Sequence, residues 1–192
     1  MMAQGALEKA GGKALSGPLR LNLGGAGEGF ADGRIPGFLT VDLREGPDTD
    51  VVADCSRLNQ FDDNTVDTIY ASQILEHFGV DQTVSVLKEW HRVLKKGGKL
   101  YVSVPDFDVA VKLYQRYGLT PWLKYHLWGD QKHMLNFHYT CFTFATLAKD
   151  LLDAGFDEPK RCPAWPFECK DGSQNIDSLS GQLISLNMEA TK

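Results

Sequence analysis

The 192-residue sequence has no excess of positive charge and no long apolar run, and each absence excludes a class of protein. It carries 25 acidic against 20 basic residues, for a net charge of -5, whereas general binders of nucleic acid or anionic membranes need a positive surface. No apolar run approaches the roughly 20 residues that span a bilayer, and the first residues lack the apolar core of a signal peptide. We therefore expect a cytoplasmic protein without a nucleic-acid or membrane partner.

Cysteine is also scarce: the four cysteines show no CxxC spacing. This pattern is typical of a reduced intracellular chain, and it predicts neither a disulfide framework nor a metal site. The length fits one domain with a sizeable core. We expect a flexible arm over residues 1–17, rich in Gly, Ala and Lys, followed by a single domain over 18–192.

From Leu19 onward, short apolar runs alternate with amphipathic segments, which is typical of βαβ units and a parallel sheet. The pattern predicts strands over 19–23, 38–43, 50–53, 66–71 and 99–104, and two closing strands over 161–164 and 183–190. It predicts one helix over 81–96 and another that begins after the cap Thr143 and ends at Gly155. The aromatic-rich segment 107–142 shows no regular period, and we expect an irregular, lid-like insertion there.

A glycine-rich turn, Gly24 to Gly29, follows the first predicted strand. Such a turn lets a ligand approach the backbone, and in a doubly wound sheet it lies where ligands bind, outside the strand ends. Asp42 ends the second strand 18 residues after Gly24, close to the spacing of about 20 expected of a carboxylate that binds ribose hydroxyls. Asp54, after the third strand, is placed to meet the edge of an adenine. Together these residues favour a nucleoside-containing ligand over a purely structural turn.

A nicotinamide cofactor uses the same geometry, so a nicotinamide-dependent oxidoreductase is one alternative. Its fingerprint GxGxxG fits poorly, because a motif that starts at Gly25 meets Phe30 where glycine is required. A motif that starts at Gly24 meets Ala26 at its second glycine. The alternative is weakened but stays open.

Three short segments stand out in the first part of the chain: RLNLGGAG, GFLTVDL and VVADC. Two longer blocks follow, FDDNTVDTIYASQILEHF and EWHRVLKKGGKLYVSVPDFD, and then HYTCFTFATLAKDLLDAGF. Over about residues 19–156, the chain resembles class I S-adenosylmethionine-dependent methyltransferases, in particular a small bacterial group of methyltransferase type 11. The resemblance implies an α/β, Rossmann-like fold: a doubly wound, mostly parallel sheet with a terminal antiparallel strand, in three αβα layers.

The resemblance also implies S-adenosylmethionine as the cofactor, and it assigns the contacts. The glycine turn lines the methionine end, Asp42 holds the ribose, and Asp54 with Cys55 flanks the adenine. Residues that follow the fourth strand lie near the reacting centre. The expected cofactor-binding residues are Asn22, Gly24, Gly25, Ala26, Gly27, Asp42, Leu43, Asp54, Cys55, Ser72, Gln73 and Glu76. The chain departs from the family at Ala26, which replaces the middle glycine of the family's turn.

Methyl transfer from a sulfonium needs mainly an aligned nucleophile and a dry approach, and such positioning supplies about 7–11 kcal/mol. A general base is needed only where the nucleophile starts protonated. Asp106, at the end of the fifth strand, is the preferred candidate for a base, and His77 and His138 are further candidates. His133 lies in the same irregular segment as His138. For His77 a structural role is the favoured interpretation, whereas for His133 and His138 a structural and a catalytic role fit the sequence equally.

We expect the methyl acceptor to be a small-molecule or glycan-like compound, since the chain has no appended recognition domain. We expect the protein to be a monomer or a homodimer. A second alternative is a catalytically degenerate protein that binds S-adenosylmethionine or a nucleoside, because Ala26 and the unassigned base leave catalysis open.

Overall fold

The structure is a computed structural model, and it describes residues 17–26, 34–132, 134–177 and 180–192. The predicted arm lies outside these ranges apart from Gly17, and so do two predicted site residues, Gly27 and His133. Within the ranges, no helix combines the length and the apolar character needed to cross a membrane.

One seven-stranded sheet organises the described residues. Its strands are β1 (Arg20–Leu23), β2 (Leu39–Asp42), β3 (Val51–Val52), β4 (Val66–Ser72), β5 (Leu94–Pro105), β6 (Asp157–Arg161) and β7 (Ser185–Thr191). Their order across the sheet is β3-β2-β1-β4-β5-β7-β6. Neighbours from β3 to β5 are parallel, whereas β7 runs antiparallel to both β5 and β6. The predicted Rossmann-like sheet with a terminal antiparallel strand is confirmed.

The described residues include four α-helices: α1 (Thr83–Val93), α2 (Phe107–Tyr117), α3 (Pro121–Trp128) and α4 (Phe144–Asp153). α4 begins as predicted, because Thr143 and Thr146 exchange side-chain and backbone hydrogen bonds in a capping box. α1 is shorter than predicted. The chain leaves the helix at Leu94, which adopts an extended conformation and pairs with Val66 in the sheet.

The segment 107–142 is more regular than expected, since it contains α2 and α3. The side chain of Asp106 accepts hydrogen bonds from the backbone nitrogens of Asp108 and Val109 and so caps α2. Thr120 caps α3 in the same way, and Pro121 occupies the first position of that helix. The described part of 129–142 contains no helix or strand.

The sequence pattern predicts the penultimate strand over 161–164, but β6 covers Asp157–Arg161 and so begins four residues earlier. Gly155 ends α4 with φ +100°, as predicted, and the chain enters β6 two residues later. β6 lies at the edge of the sheet and most of its side chains are exposed, so it carries little of the apolar signal that marks a strand.

The core positions the functional edge of the sheet. Apolar side chains of the central strands pack with α1 and α4, around the fully buried Trp90 and Leu147. β1 and β4 are neighbours although they are not consecutive, so the strand order reverses between them. In a doubly wound sheet, this reversal opens a crevice at the carboxyl ends of the strands. The residues that directly follow β1, β2, β3 and β4 all meet there.

Candidate active site

A cavity of about 710 Å³ opens at the carboxyl ends of the parallel strands. This volume lies within the range of about 300–1,000 Å³ that is typical of small-molecule sites. Nine of the twelve predicted cofactor-binding residues line the cavity: Asn22, Gly24, Gly25, Asp42, Leu43, Asp54, Cys55, Ser72 and Gln73. Its other walls come from α3, residues 129–139, residues 169–175 and residues 184–185.

The turn after β1 has glycine at two positions where a side chain would collide with its surroundings. Gly24 adopts φ +71°, and a Cβ there would lie 2.6 Å from Cδ1 of Ile74. A Cβ on Gly25 would lie 2.7 Å from Cγ of Asn22 and closer still to its Nδ2. The backbone at 24–25 is therefore bare toward the cavity. Ala26 does not line the cavity, so the extra methyl group does not narrow it.

Asp42, at the end of β2, has both carboxylate oxygens engaged. Oδ2 accepts from the backbone nitrogen of Ala26 (3.2 Å) and from Nη2 of Arg44 (3.1 Å). Oδ1 accepts from the backbone nitrogen (2.9 Å) and Nε (3.0 Å) of Arg44. Burial acts to raise the pKa of Asp42, but the hydrogen bonds and charge of Arg44 outweigh it and hold this pKa below its ordinary value. The carboxylate is charged at neutral pH, and the partly exposed Arg44 side chain contacts both of its oxygens.

Asp54 and Cys55 follow β3 and form the next part of the wall. Oδ1 of Asp54 accepts hydrogen bonds from the backbone nitrogen (2.8 Å) and the hydroxyl (2.7 Å) of Ser56, which fixes the turn at the exposed rim. The thiol of Cys55 is buried and contacts the carbonyl oxygen of Val41 at 3.6 Å. Burial raises the pKa of this thiol to about 12. Cys55 thus presents a neutral surface beside the carboxylates.

Gln73 turns the chain away from the end of β4. Its φ of +53° is left-handed, and its backbone nitrogen donates to the carbonyl of Ser103 at 2.8 Å. Its Nε2 donates to the hydroxyl of the same residue at 3.2 Å. This turn leads into the short 3-10 helix Leu75–His77, which carries the next polar groups of the site.

Glu76 does not line the cavity; its side chain lies behind the wall and is completely buried. Burial raises the pKa of its carboxyl to about 8. His77 and His138 lie at the wall itself, with ring centroids 4.9 Å apart. Nδ1 of His77 donates to the carbonyl of Phe137 (3.0 Å), and Nδ1 of His138 donates to the carbonyl of His126 (3.2 Å). The structure therefore brings two of the three predicted catalytic residues together.

Asp106, the preferred base, is not brought to this cavity. One of its oxygens caps α2, and the other lies 3.3 Å from Nη1 of Arg161. It lines a separate depression beside α2. An acidic residue after a strand can face a ligand or cap the next helix, and here it caps the helix. The geometry therefore corrects the expectation that Asp106 meets the acceptor.

Several residues of the cavity wall were not among the predicted site residues. The side chains of Trp122, Tyr125 and Tyr139 form an aromatic part of the wall and are well exposed. A polar part comes from Asn175, in the segment that precedes β7, and from Ser185, the first residue of β7. The sequence contained only a weak signal for the aromatic part, namely the excess of aromatic residues after Tyr114, and none for the polar part.

This chain is similar to a methyltransferase family model and to solved structures of methyltransferases. Residues 35–102 match the family model of a methyltransferase domain. No protein of curated function matches the sequence. A SAM-dependent methyltransferase from Archaeoglobus fulgidus aligns with a TM-score of 0.56 and 15% identity, over 92% of this chain and 87% of the other. The resemblance to class I methyltransferases is confirmed.

Two further solved structures align with this chain over its whole length at a TM-score of 0.54. One is the 1,6-didemethyltoxoflavin-N1-methyltransferase of Burkholderia thailandensis with bound 1,6-didemethyltoxoflavin and S-adenosylhomocysteine, at 19% identity and 77% of its own length. The other is a SAM-dependent methyltransferase of Thermotoga maritima, described as a possible histamine N-methyltransferase, at 18% identity and 87% of its length. At these identities the structures establish a shared fold, and with the family match they support S-adenosylmethionine as the cofactor.

Proposed function

We propose that this protein transfers a methyl group from S-adenosylmethionine to a small-molecule or glycan-like acceptor. The observation that carries the proposal is the single cavity at the strand ends, which gathers the bare glycine turn, the charged Asp42 and the two histidines. Each of these features is common alone. Their meeting at the point where the strand order reverses is what favours a nucleoside-type cofactor with an acceptor beside it.

The residues around the cavity fit S-adenosylmethionine. The bare backbone at Gly24 and Gly25 admits the methionine chain, and a Cβ at either position would collide with the side chain of Ile74 or of Asn22. Asp42 offers charged oxygens to ribose hydroxyls, and the neutral thiol of Cys55 suits the face of an adenine. When bound, S-adenosylmethionine supplies a methyl group that is already activated by its sulfonium. The protein then has to hold the acceptor atom in line and keep water out.

The proposed acceptor wall combines aromatic side chains with the imidazoles of His77 and His138. Trp122 and Tyr125 of α3 suit a planar or sugar ring, because both aromatic side chains line the cavity and are exposed. Burial, together with the charge of His77, lowers the pKa of His138 to about 4, so this imidazole is neutral at neutral pH. The heterocyclic compound bound to the Burkholderia relative is in keeping with a small acceptor.

The proposal is tested in two steps on the full-length chain. Calorimetry first measures the affinity for S-adenosylmethionine, with S-adenosylhomocysteine as the product and NAD as the competing cofactor. Radiolabelled methyl transfer is then followed against a panel of phenols, amines and sugars, in the wild type and in His138→Gln. We expect binding of both adenosyl compounds, turnover of one acceptor class, and a slower turnover in His138→Gln at unchanged cofactor affinity. Binding of NAD alone would favour the oxidoreductase, and binding without any turnover would favour the degenerate protein.

A further inference from the structure

Three potential metal ligands meet at the acceptor wall, although the sequence predicted no metal. A carboxylate oxygen of Glu76 and a ring nitrogen each of His77 and His138 lie within 4.8 Å of one another. Two imidazoles and one carboxylate make up a common ligand set of catalytic zinc, which leaves one position for water or substrate. Zinc ligands lie roughly 3.4 Å apart, so small side-chain rotations are enough to close the site on an ion.

The buried carboxyl group of Glu76 points to a ligand independently. The residue is fully buried, and neither Oε1 nor Oε2 has a hydrogen-bond partner among the described residues. A buried carboxyl group without a partner is costly, so such groups are normally paired or bound to a metal. The two histidines lie within ligand distance of it. A cation between the three side chains would compensate the charge of the carboxylate, for which the described residues offer no hydrogen-bond partner.

Both histidines are held in the orientation that metal ligands need. Each donates its Nδ1 proton to a backbone carbonyl, of Phe137 for His77 and of His126 for His138. The lone pair of each ring therefore lies on Nε2. Histidines that bind metals are usually fixed by such a bond from the other ring nitrogen. The backbone nitrogen of Tyr139 also donates to the carbonyl of Glu76 at 2.8 Å, which ties the two ligand-bearing segments together.

From these observations we infer that Glu76, His77 and His138 form a binding site for a divalent transition-metal ion, with Zn²⁺ as the best match to the ligand set. Glu76 binds from behind the wall and the histidines from the wall itself, so the fourth position of the ion faces the cavity. An oxygen or nitrogen of the acceptor is suited to that position. The use of the ion in methyl transfer rests on the proposed function, whereas its binding does not.

The site is tested by calorimetric titration of Zn²⁺ into tag-free, metal-stripped, full-length protein. The wild type is expected to bind one equivalent. Loss of a hydrogen bond that only orients a metal ligand lowers metal affinity by about 10–100-fold. Glu76→Gln and His138→Gln each change a ligand itself, so each should lower the Zn²⁺ affinity by more than about 100-fold. The control is His91→Gln, because His91 lies on α1 against Phe156 and away from the cavity. Its Zn²⁺ affinity should equal that of the wild type.

No uptake of Zn²⁺ by the wild type, or equal uptake by all four proteins, would overturn the inference. Co²⁺ absorption provides the second measurement: a spectrum without a thiolate band is expected, and a thiolate band would assign the ion to cysteine and contradict the site. Thermal unfolding verifies that the variants fold. If Glu76→Gln does not fold, the comparison of His138→Gln with the wild type tests the site. S-adenosylhomocysteine affinity of the wild type is measured in parallel. If the wild type binds S-adenosylhomocysteine but not Zn²⁺, only the metal site is refuted. If it binds Zn²⁺ but not S-adenosylhomocysteine, only the proposed function is refuted.

Discussion

Replacement of Asp42 by asparagine keeps the shape of the side chain and removes its charge, at the residue expected to hold the ribose. A hydrogen bond to a charged group contributes about 1.5–3 kcal/mol. The amide keeps one acceptor oxygen, so we expect the loss of at least one such bond. The dissociation constant for S-adenosylhomocysteine should rise by about 10–150-fold.

The contacts of Asp42 provide a matched variant. Arg44 donates to both carboxylate oxygens, so its side chain competes with the ribose for Asp42. Arg44→Ala removes this competitor and should leave the affinity unchanged or raise it. If Asp42 served only as the structural partner of Arg44, both variants would break the same pair and change the affinity alike. Calorimetry of the two variants beside the wild type separates these cases, and unchanged affinity in Asp42→Asn would refute the ribose role. Asp48→Asn, which changes an exposed acid that does not line the cavity, is the control for loss of a negative charge.

Three other predictions concern the turn, the helix cap and the cysteines. Gly25→Ala should lower the free energy of unfolding by about 1–3 kcal/mol and weaken cofactor binding, because the new Cβ overpacks its surroundings; Gly46→Ala, whose Cβ meets its first neighbour only at 4.0 Å, should do neither. Asp106→Ala should cost about 0.5–2 kcal/mol of stability through the lost cap and leave S-adenosylhomocysteine affinity intact, and a weakened affinity would return this residue to the site. At pH 8 a thiol reagent should label the exposed Cys141 well before the buried Cys55, and equal rates by mass spectrometry would contradict the burial at the cavity wall.

The cofactor half of the site was predictable because its signals are local. A glycine turn, and acids directly after strands, occupy positions that the βαβ pattern fixes, and the structure brings Gly24, Asp42 and Asp54 to one cavity. β6 was placed late because an exposed edge strand has little apolar periodicity.

The acceptor half was not predictable from local patterns. α3 has apolar and aromatic residues on every side, so its sequence shows no hydrophobic period. Thr120 followed by Pro121 is nevertheless a signal for the start of a helix. Whether Asp106 faces a ligand or caps α2 depends on its side-chain rotamer. The spacing of residues in the sequence does not indicate that rotamer. Glu76 and His138 meet only because the segment after α3 folds back onto the 3-10 helix.

The central claim is that the cavity at the strand ends binds S-adenosylmethionine. Calorimetric titration of the purified full-length chain with S-adenosylmethionine, S-adenosylhomocysteine and NAD tests it most directly. The account predicts micromolar binding of both adenosyl compounds and none of NAD. If neither adenosyl compound binds, the claim is contradicted, because the glycine turn and Asp42 would then line a cavity that does not bind this cofactor.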